Sequence, residues 1–268
     1  MTLFWQVLST EARTRMSYRA DFWINAVVGF IVEFGLAWYL WGAMFRESGE
    51  ERMGGYTFQG MVVYYLSVVL LGKMIRGREF EGAVSHDIYE GGLNRYLLYP
   101  AHYFPIKFAQ RIGSLVPAFL QFALFLGVAV FFVDIPGELM PTAGSVLRAA
   151  GCVVVGMTLY FIMDFCIHLV AFWADNVWSL DVAKWFIASI LGGYMLPVTL
   201  FPDWAQAVIA WLPFRYFFDF PVRVLLGRIG PLEWAAGMAL CLCWCTALLG
   251  VAGLVWRRGT LQYSGVGI

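Results

Sequence analysis

Charge is the scarcest property of this chain. Asp, Glu, Lys and Arg make up 13% of its 268 residues, against roughly 25% in an ordinary soluble domain. Hydrophobic residues reach 61% and aromatics 18%, with a mean hydropathy of +0.71. No soluble core of this size hides so much Phe, Trp, Leu and Val, which excludes a water-soluble globular domain. Also missing are the alternating segments of about ten residues that mark transmembrane strands. The apolar runs are apolar on both faces and far longer, so the composition predicts an all-α integral membrane protein with helices crossing a bilayer about 30 Å thick.

Most chemical signatures are missing too. There is no G-x-x-x-x-G-K-[ST] phosphate loop and hence no ATP site by that signature, and neither H-E-x-x-H nor G-x-S-x-G occurs. His86, His102 and His168 are dispersed. Cys152, Cys166, Cys241, Cys243 and Cys245 all fall in apolar runs without structural zinc spacing, and read as small buried apolar residues. Successive helical residues turn by about 100°, so Cys243 points away from Cys241 and Cys245. A membrane enzyme thus lacks a nucleophile, a metal cluster or an acid pair. Neither a bound metal nor a nucleic-acid partner is expected, and no cofactor is expected in this chain.

What is present is a series of apolar runs broken by one long polar stretch. Residues 1–21 mix Leu3, Phe4, Val7 and Leu8 with Arg13, Arg15 and Arg19 at helical spacing, which predicts a helix lying in the membrane interface. Spans follow over about 22–45, 57–75, 106–133, with Pro117 as a kink, and 145–173. After a short turn over 174–184, a fifth span runs to about 196 and a sixth covers about 234–255. Between the last two, residues 197–232 are apolar but broken by Pro197, Pro202, Pro213, Pro221 and Pro231. This pattern predicts short helices that dip into the membrane from the outer side and return.

Six crossings place both termini on one side. That side carries Arg13, Arg15, Arg19, Lys73, Arg76, Arg78, Arg95, Lys107, Arg111, Lys184, Arg257 and Arg258. The other has Arg46, Arg52, Arg148, Arg215, Arg223 and Arg228. The positive-inside rule makes the richer side cytoplasmic. Arg215, Asp219 and Arg223 step by four and are expected to pair along one helical face.

Polar residues inside the spans are expensive and therefore informative. Asn25, Gly29 and Glu33 share one face of the first span; Glu33 faces a subunit interface, a partner group or a wet cavity, as a transport-path residue or a structural hydrogen-bonding one. Asp164 and His168 are four apart in the fourth span and form either a buried structural pair or a relay. Phe30, Trp38, Tyr39, Tyr64 and Tyr65 either line a path or pack the spans.

The polar stretch over 73–107 is the most specific feature. Within it, IYEGGLNRYLLYP gives a turn at Gly91-Gly92 and then Leu93, Tyr96, Leu97 and Tyr99 around Asn94 and Arg95. This predicts an exposed aromatic and aliphatic knob with a basic rim, suited to a groove on a cytoplasmic protein.

IYEGGLNRYLLYP resembles the E-I-x-x-G-x-L-x-x-Y-L-L-x-P sequence of bacterial permease subunits of type-two ATP-binding-cassette transporters. LPFRYFFDFPVRVLLG is similar to their Pro-Phe and Pro-x-x-x-L-x-G pattern before the last span, and WRRGTLQYSGVGI to their W-x-x-G-x-x-x-Y-S-x-x-G ending. The resemblance covers the whole chain and is nearest the daunorubicin-type and viologen-type exporters. It implies one permease domain over 1–268 in a bacterial inner membrane, paired with a like or unlike second permease. Separate ATP-binding-cassette ATPase subunits would hold ATP and Mg, and the cargo would be a small lipophilic or cationic molecule moved outward. Ile88, Gly91, Leu93, Tyr96, Leu97, Leu98 and Pro100 match the coupling-helix pattern, with Asp87 near its acidic position; Asn94 and Arg95 lie among them. The 197–232 stretch would be the outer re-entrant hairpin and 1–21 the interfacial connecting helix. The alternative is a membrane anchor that recruits a cytoplasmic ATPase and moves nothing. It explains the knob but not Asn25, Glu33, Asp164, His168 or the broken hairpin.

Overall fold

A computed structural model describes residues 2–17, 19–77, 82–98, 102–133 and 135–263, and all the named elements among them are helical. Among the described residues, five stretches are long and apolar enough to cross a membrane: Trp23–Ser48, Phe58–Arg76, Tyr103–Val128, Ala143–Phe172 and Pro231–Gln262. The chain opens with α1 (Thr2–Ser17) and α2 (Arg19–Ser48), then α3 (Phe58–Arg76). Helix α3 is the hub, with Met61 to Leu71 buried on all sides among α2, α7 (Leu115–Phe132), α8 (Ala143–His168) and α11 (Asp219–Leu225). Its apolar all-round sequence is what a helix needs when every face meets protein.

Local chemistry fixes the helix ends. The Thr57 hydroxyl accepts from the Gly60 N–H at 3.2 Å to start α3, and Thr142 and Ser145 cap α8 reciprocally. At the other end of α3, Arg111 from α6 (Tyr103–Gly113) donates to the Met74 carbonyl at 2.6 Å and the Ile75 carbonyl at 2.9 Å. A cation on those carbonyls meets both the orphan acceptors and the negative end of the helix dipole. Gly77 then leaves α3 with φ 58. The guanidinium stands where a side chain at Gly77 would go.

The third expected span is two helices, α6 and α7, divided at Ser114. Pro117 lacks an N–H and its ring crowds the Gly113 carbonyl, so the break falls one turn before the proline. There α1 crosses α6 so closely that a side-chain carbon on Gly113 would stand 2.6 Å from the Leu8 carbonyl oxygen. Leu3 and Trp5 remain exposed on α1.

Beyond α8, the expected turn over 174–184 and the span to 196 differ from what forms. Helix α9 runs Trp178–Leu191, 14 residues or about 21 Å, less than the roughly 30 Å of bilayer hydrocarbon. Gly193, at φ 87, ends it. Lys184 is therefore a buried mid-helix residue rather than the end of a short turn. The Pro-broken stretch makes α10 (Asp203–Trp211) and α11, before α12 (Pro231–Gln262).

Helix α11 is deeply set. Asp219 is 0% exposed, accepting from the Tyr64 hydroxyl at 3.3 Å, which also donates to the Gly193 carbonyl at 2.9 Å. The expected triad along one helical face does not form. Arg223 lies 3.7 Å from Asp219, but Arg215 belongs to a separate 3-10 turn, Phe214–Tyr216, and covers the Phe220 ring at 5.4 Å.

Candidate functional site

Two short helices fill the polar stretch: α4 (Ala83–Tyr89) and α5 (Leu93–Leu97). They are joined through Gly91 at φ 72, a left-handed conformation that favours glycine. Their apolar residues divide by helical face. Val84, Ile88, Leu93 and Tyr96 turn inward onto Ile106, Phe165, Leu169, Ala171, Val177 and Ala252. Asn94, Arg95, Leu97 and Leu98 face outward, Leu98 being 87% exposed. The expected knob thus splits: Leu93 and Tyr96 are the seat, and Leu97 and Leu98 with the polar pair are the surface. Spacing within a five-residue helix does not say which face the bundle takes. Tyr99 and Pro100 lie outside the described residues.

A buried polar box locks the seat. Asp87 accepts from the Lys107 ammonium at 2.6 Å and the Tyr103 hydroxyl at 2.7 Å. The ammonium lies 4.9 Å from the Tyr96 ring centroid and 5.5 Å from that of Tyr103, a cation held between two aromatic faces and a carboxylate. Tyr103 stacks on Trp256 of α12 at 5.2 Å, so α4, α5, α6 and α12 meet here. Beside it opens a cleft of about 560 Å³ lined by Tyr96, Leu97, His102, Phe165 and Trp256 among others. Burial raises the Tyr89 hydroxyl above the usual tyrosine range, and the Val177 backbone pulls the other way.

The four polar residues expected inside the spans fall in two unconnected places. Asn25 is exposed and Glu33 half-buried on α2; at Gly29, between them, a side chain would meet the Lys73 ammonium at 3.8 Å. Trp38 and Tyr39 are exposed on the same helix, whereas Tyr64 and Tyr65 are buried and pack rather than line a path.

Asp164 and His168 are instead half of a closed ring. His168 Nδ1 lies 3.2 Å from Asp164 and its Nε2 2.7 Å from Asp181. The Lys184 ammonium bonds to Asp164 and, at 2.9 Å, to Asp181, with the Tyr160 ring 5.2 Å away. His168 is 0% exposed and Lys184 5%. Two carboxylates and two bases alternate, each touching two others, and a protonated His168 makes the ring neutral. Asp164, His168 and Asp181 present ligand atoms within 4.8 Å of one another, as a metal site does. The Lys184 ammonium, bonded to both carboxylates, already supplies the positive charge that a metal ion would bring. The expected turn over 174–184 conceals Asp181 and Lys184 as ring members; their three-residue spacing is the signal the sequence offers.

Comparison with protein-family models matches residues 31–267 to the model described as ABC-2 family transporter protein. The match spans α4, α5 and the ring. No curated protein matches the chain.

Proposed function

Since the chain belongs to the ABC-2 family of transporter proteins, we propose that α4 and α5 are the lever through which a separate ATP-hydrolysing subunit drives its transport cycle. The protein is a multi-pass transmembrane permease of an ATP-binding-cassette system, and such permeases work with ATPase subunits on other chains. ATP and Mg belong, in this reading, to those partners. The observation that carries the proposal is the two-sided segment: Leu93, Tyr96 and Asp87 are fixed into the bundle while Asn94, Arg95, Leu97 and Leu98 are offered outward. A lever needs a rigid seat and an exposed contact face. ATP closure of the partners would tilt α3 and α6 and switch the enclosed path between inward and outward access.

Six crossings remain the reading, with α9 as a short fifth. Support comes from its two ends. The residues just before it, Leu169, Ala171 and Val177, pack with α4. Those just after it, Gly193 and Met195, accept from Tyr64 and Tyr65 near the opposite end of α3. Both termini and α4–α5 then share the cytoplasmic side of a bacterial inner membrane, α1 lies at that interface, and α10 with α11 forms the outer re-entrant hairpin. A second permease, like or unlike, covers α2. In support, a carboxylate at Glu33 facing lipid would cost about 3 kcal/mol near mid-span. Cargo that is small and lipophilic or cationic, moved outward, rests on the resemblance to daunorubicin-type and viologen-type exporters.

Purification of the tagged chain from its native membrane, with mass spectrometry of co-purifying proteins and an ATPase assay, tests the core of this proposal. An ATP-binding-cassette ATPase recovered with the chain, and released by Leu98→Glu, supports it. No ATPase under complex-preserving conditions overturns it and favours a different membrane role.

A further inference from the structure

We infer that the ring of Asp164, His168, Asp181 and Lys184 is a transmission joint that makes α8 and α9 follow the coupling segment as one body. The inference rests on the lever assigned to α4 and α5 and goes past it, to where the motion travels.

Position comes first. The ring bridges the last turn and a half of α8 and the first half of α9, and the chain between them is the 3-10 turn Leu169–Phe172 with the short loop to Trp178. That connector is what α4 rests on: Val84 and Ile88 share a buried cluster with Leu169, Ala171 and Val177. Any displacement of α4 therefore arrives at the connector. An untied connector would flex and absorb it. Two of the ring's four ionic contacts cross between the helices, His168–Asp181 at 2.7 Å and Lys184–Asp164, and together they remove that freedom.

Chemistry makes the tie all-or-none. Each charge has two partners, and all but Asp181, whose side chain is 20% exposed, are buried, so releasing one leaves its neighbours uncompensated and costly. Lys184 is further held over the Tyr160 ring of α8. At its far end α9 is fastened to α3, where the Gly193 and Met195 carbonyls accept from Tyr64 and Tyr65. A motion that enters beside α4 is thereby delivered along α9 to the opposite end of the bundle, next to the buried Asp219 on α11.

The test uses the permease purified with its ATPase and needs no knowledge of the cargo. Spin labels go on exposed positions off the docking face: His86 on α4 or Phe186 on α9, each paired with Leu242 on α12, with Cys243→Ser removing the exposed native thiol. Trapping the ATP-bound state is expected to shift both distances by roughly 1–2 Å or more in the intact ring. Asp164→Leu with His168→Leu deletes one carboxylate and one cation together and cuts both contacts to α9, while Asp181 and Lys184 stay paired on that helix; here the His86 shift persists and the Phe186 shift is lost. Asp181→Asn, nearly isosteric, repeats the test without changing side-chain volume and reduces the Phe186 shift. Lys184→Arg, which preserves the cation, keeps it. An unchanged Phe186 shift in the double variant and in Asp181→Asn overturns the joint and leaves the lever standing. A still His86 label with the ring intact overturns the lever, and the joint with it.

Discussion

Asp87 and Lys107 meet at 2.6 Å between α4 and α6, with side chains 14% and 6% exposed. A pair this dry is stable only while both members are present, because the survivor of a deletion is an uncompensated charge. The orientation of α4 thus depends in part on this contact, beside the Tyr103 hydroxyl on the same carboxylate and the apolar seat.

Lys107→Met is expected to destabilise the seat by about 3–5 kcal/mol. Hydrogen exchange checks it: amides of 83–98 lose protection in the variant while those of α3 keep theirs. Asp87→Leu with Lys107→Met recovers much of the loss, since no lone charge remains.

The outward face predicts the opposite pattern. Leu98→Glu, at a position 87% exposed, leaves the melting temperature unchanged but weakens ATPase binding by about 30-fold or more, the scale of a contact worth 2 kcal/mol. Tyr96→Glu, on the seat, lowers both. Binding isotherms beside thermal melts separate the two.

Gly77→Ala should destabilise the permease by more than about 1 kcal/mol, because its φ of 58 disfavours a side chain and the Arg111 guanidinium fills the space. Arg111→Met is expected to cost a similar amount or more through the uncapped Met74 and Ile75 carbonyls. Thermal unfolding in detergent measures both.

At the far end, Tyr64→Phe removes the donor shared by the Gly193 carbonyl and Asp219. The expected loss is about 1–3 kcal/mol, since two buried acceptors are left without it. Asp219→Asn in the same background costs less than it does alone, which a double-mutant cycle would register.

Much of this architecture was legible from apolar run length, because a bilayer imposes a minimum on each crossing. Pro117 forecast the division of the third span, and the Gly91-Gly92 pair the turn between α4 and α5. Depth was not legible. Lys184 falls at the end of an expected short turn and counts toward the positive side by a charge rule that does not ask whether a cation has buried partners; one of those partners, Asp164, lies 20 residues away in sequence. Arg111 likewise counts only toward the positive side, though it caps α3. Leu93 and Tyr96 were expected on the surface because a short amphipathic helix announces two faces and only the surrounding bundle decides which is covered.

The stack of Tyr103 on Trp256 also imposes an order of events during synthesis. Helices α4, α5 and α6 leave the ribosome well before α12, yet the wall against which Tyr103 and Tyr96 settle includes Ala252 and Trp256 of that last helix. A nascent or truncated permease lacks this wall and does not hold Leu97 and Leu98 in the pose of the finished fold. Under the proposed docking, the ATPase is thereby kept from engaging an unfinished membrane subunit, and the completed last helix is the signal that the permease is ready for its motor.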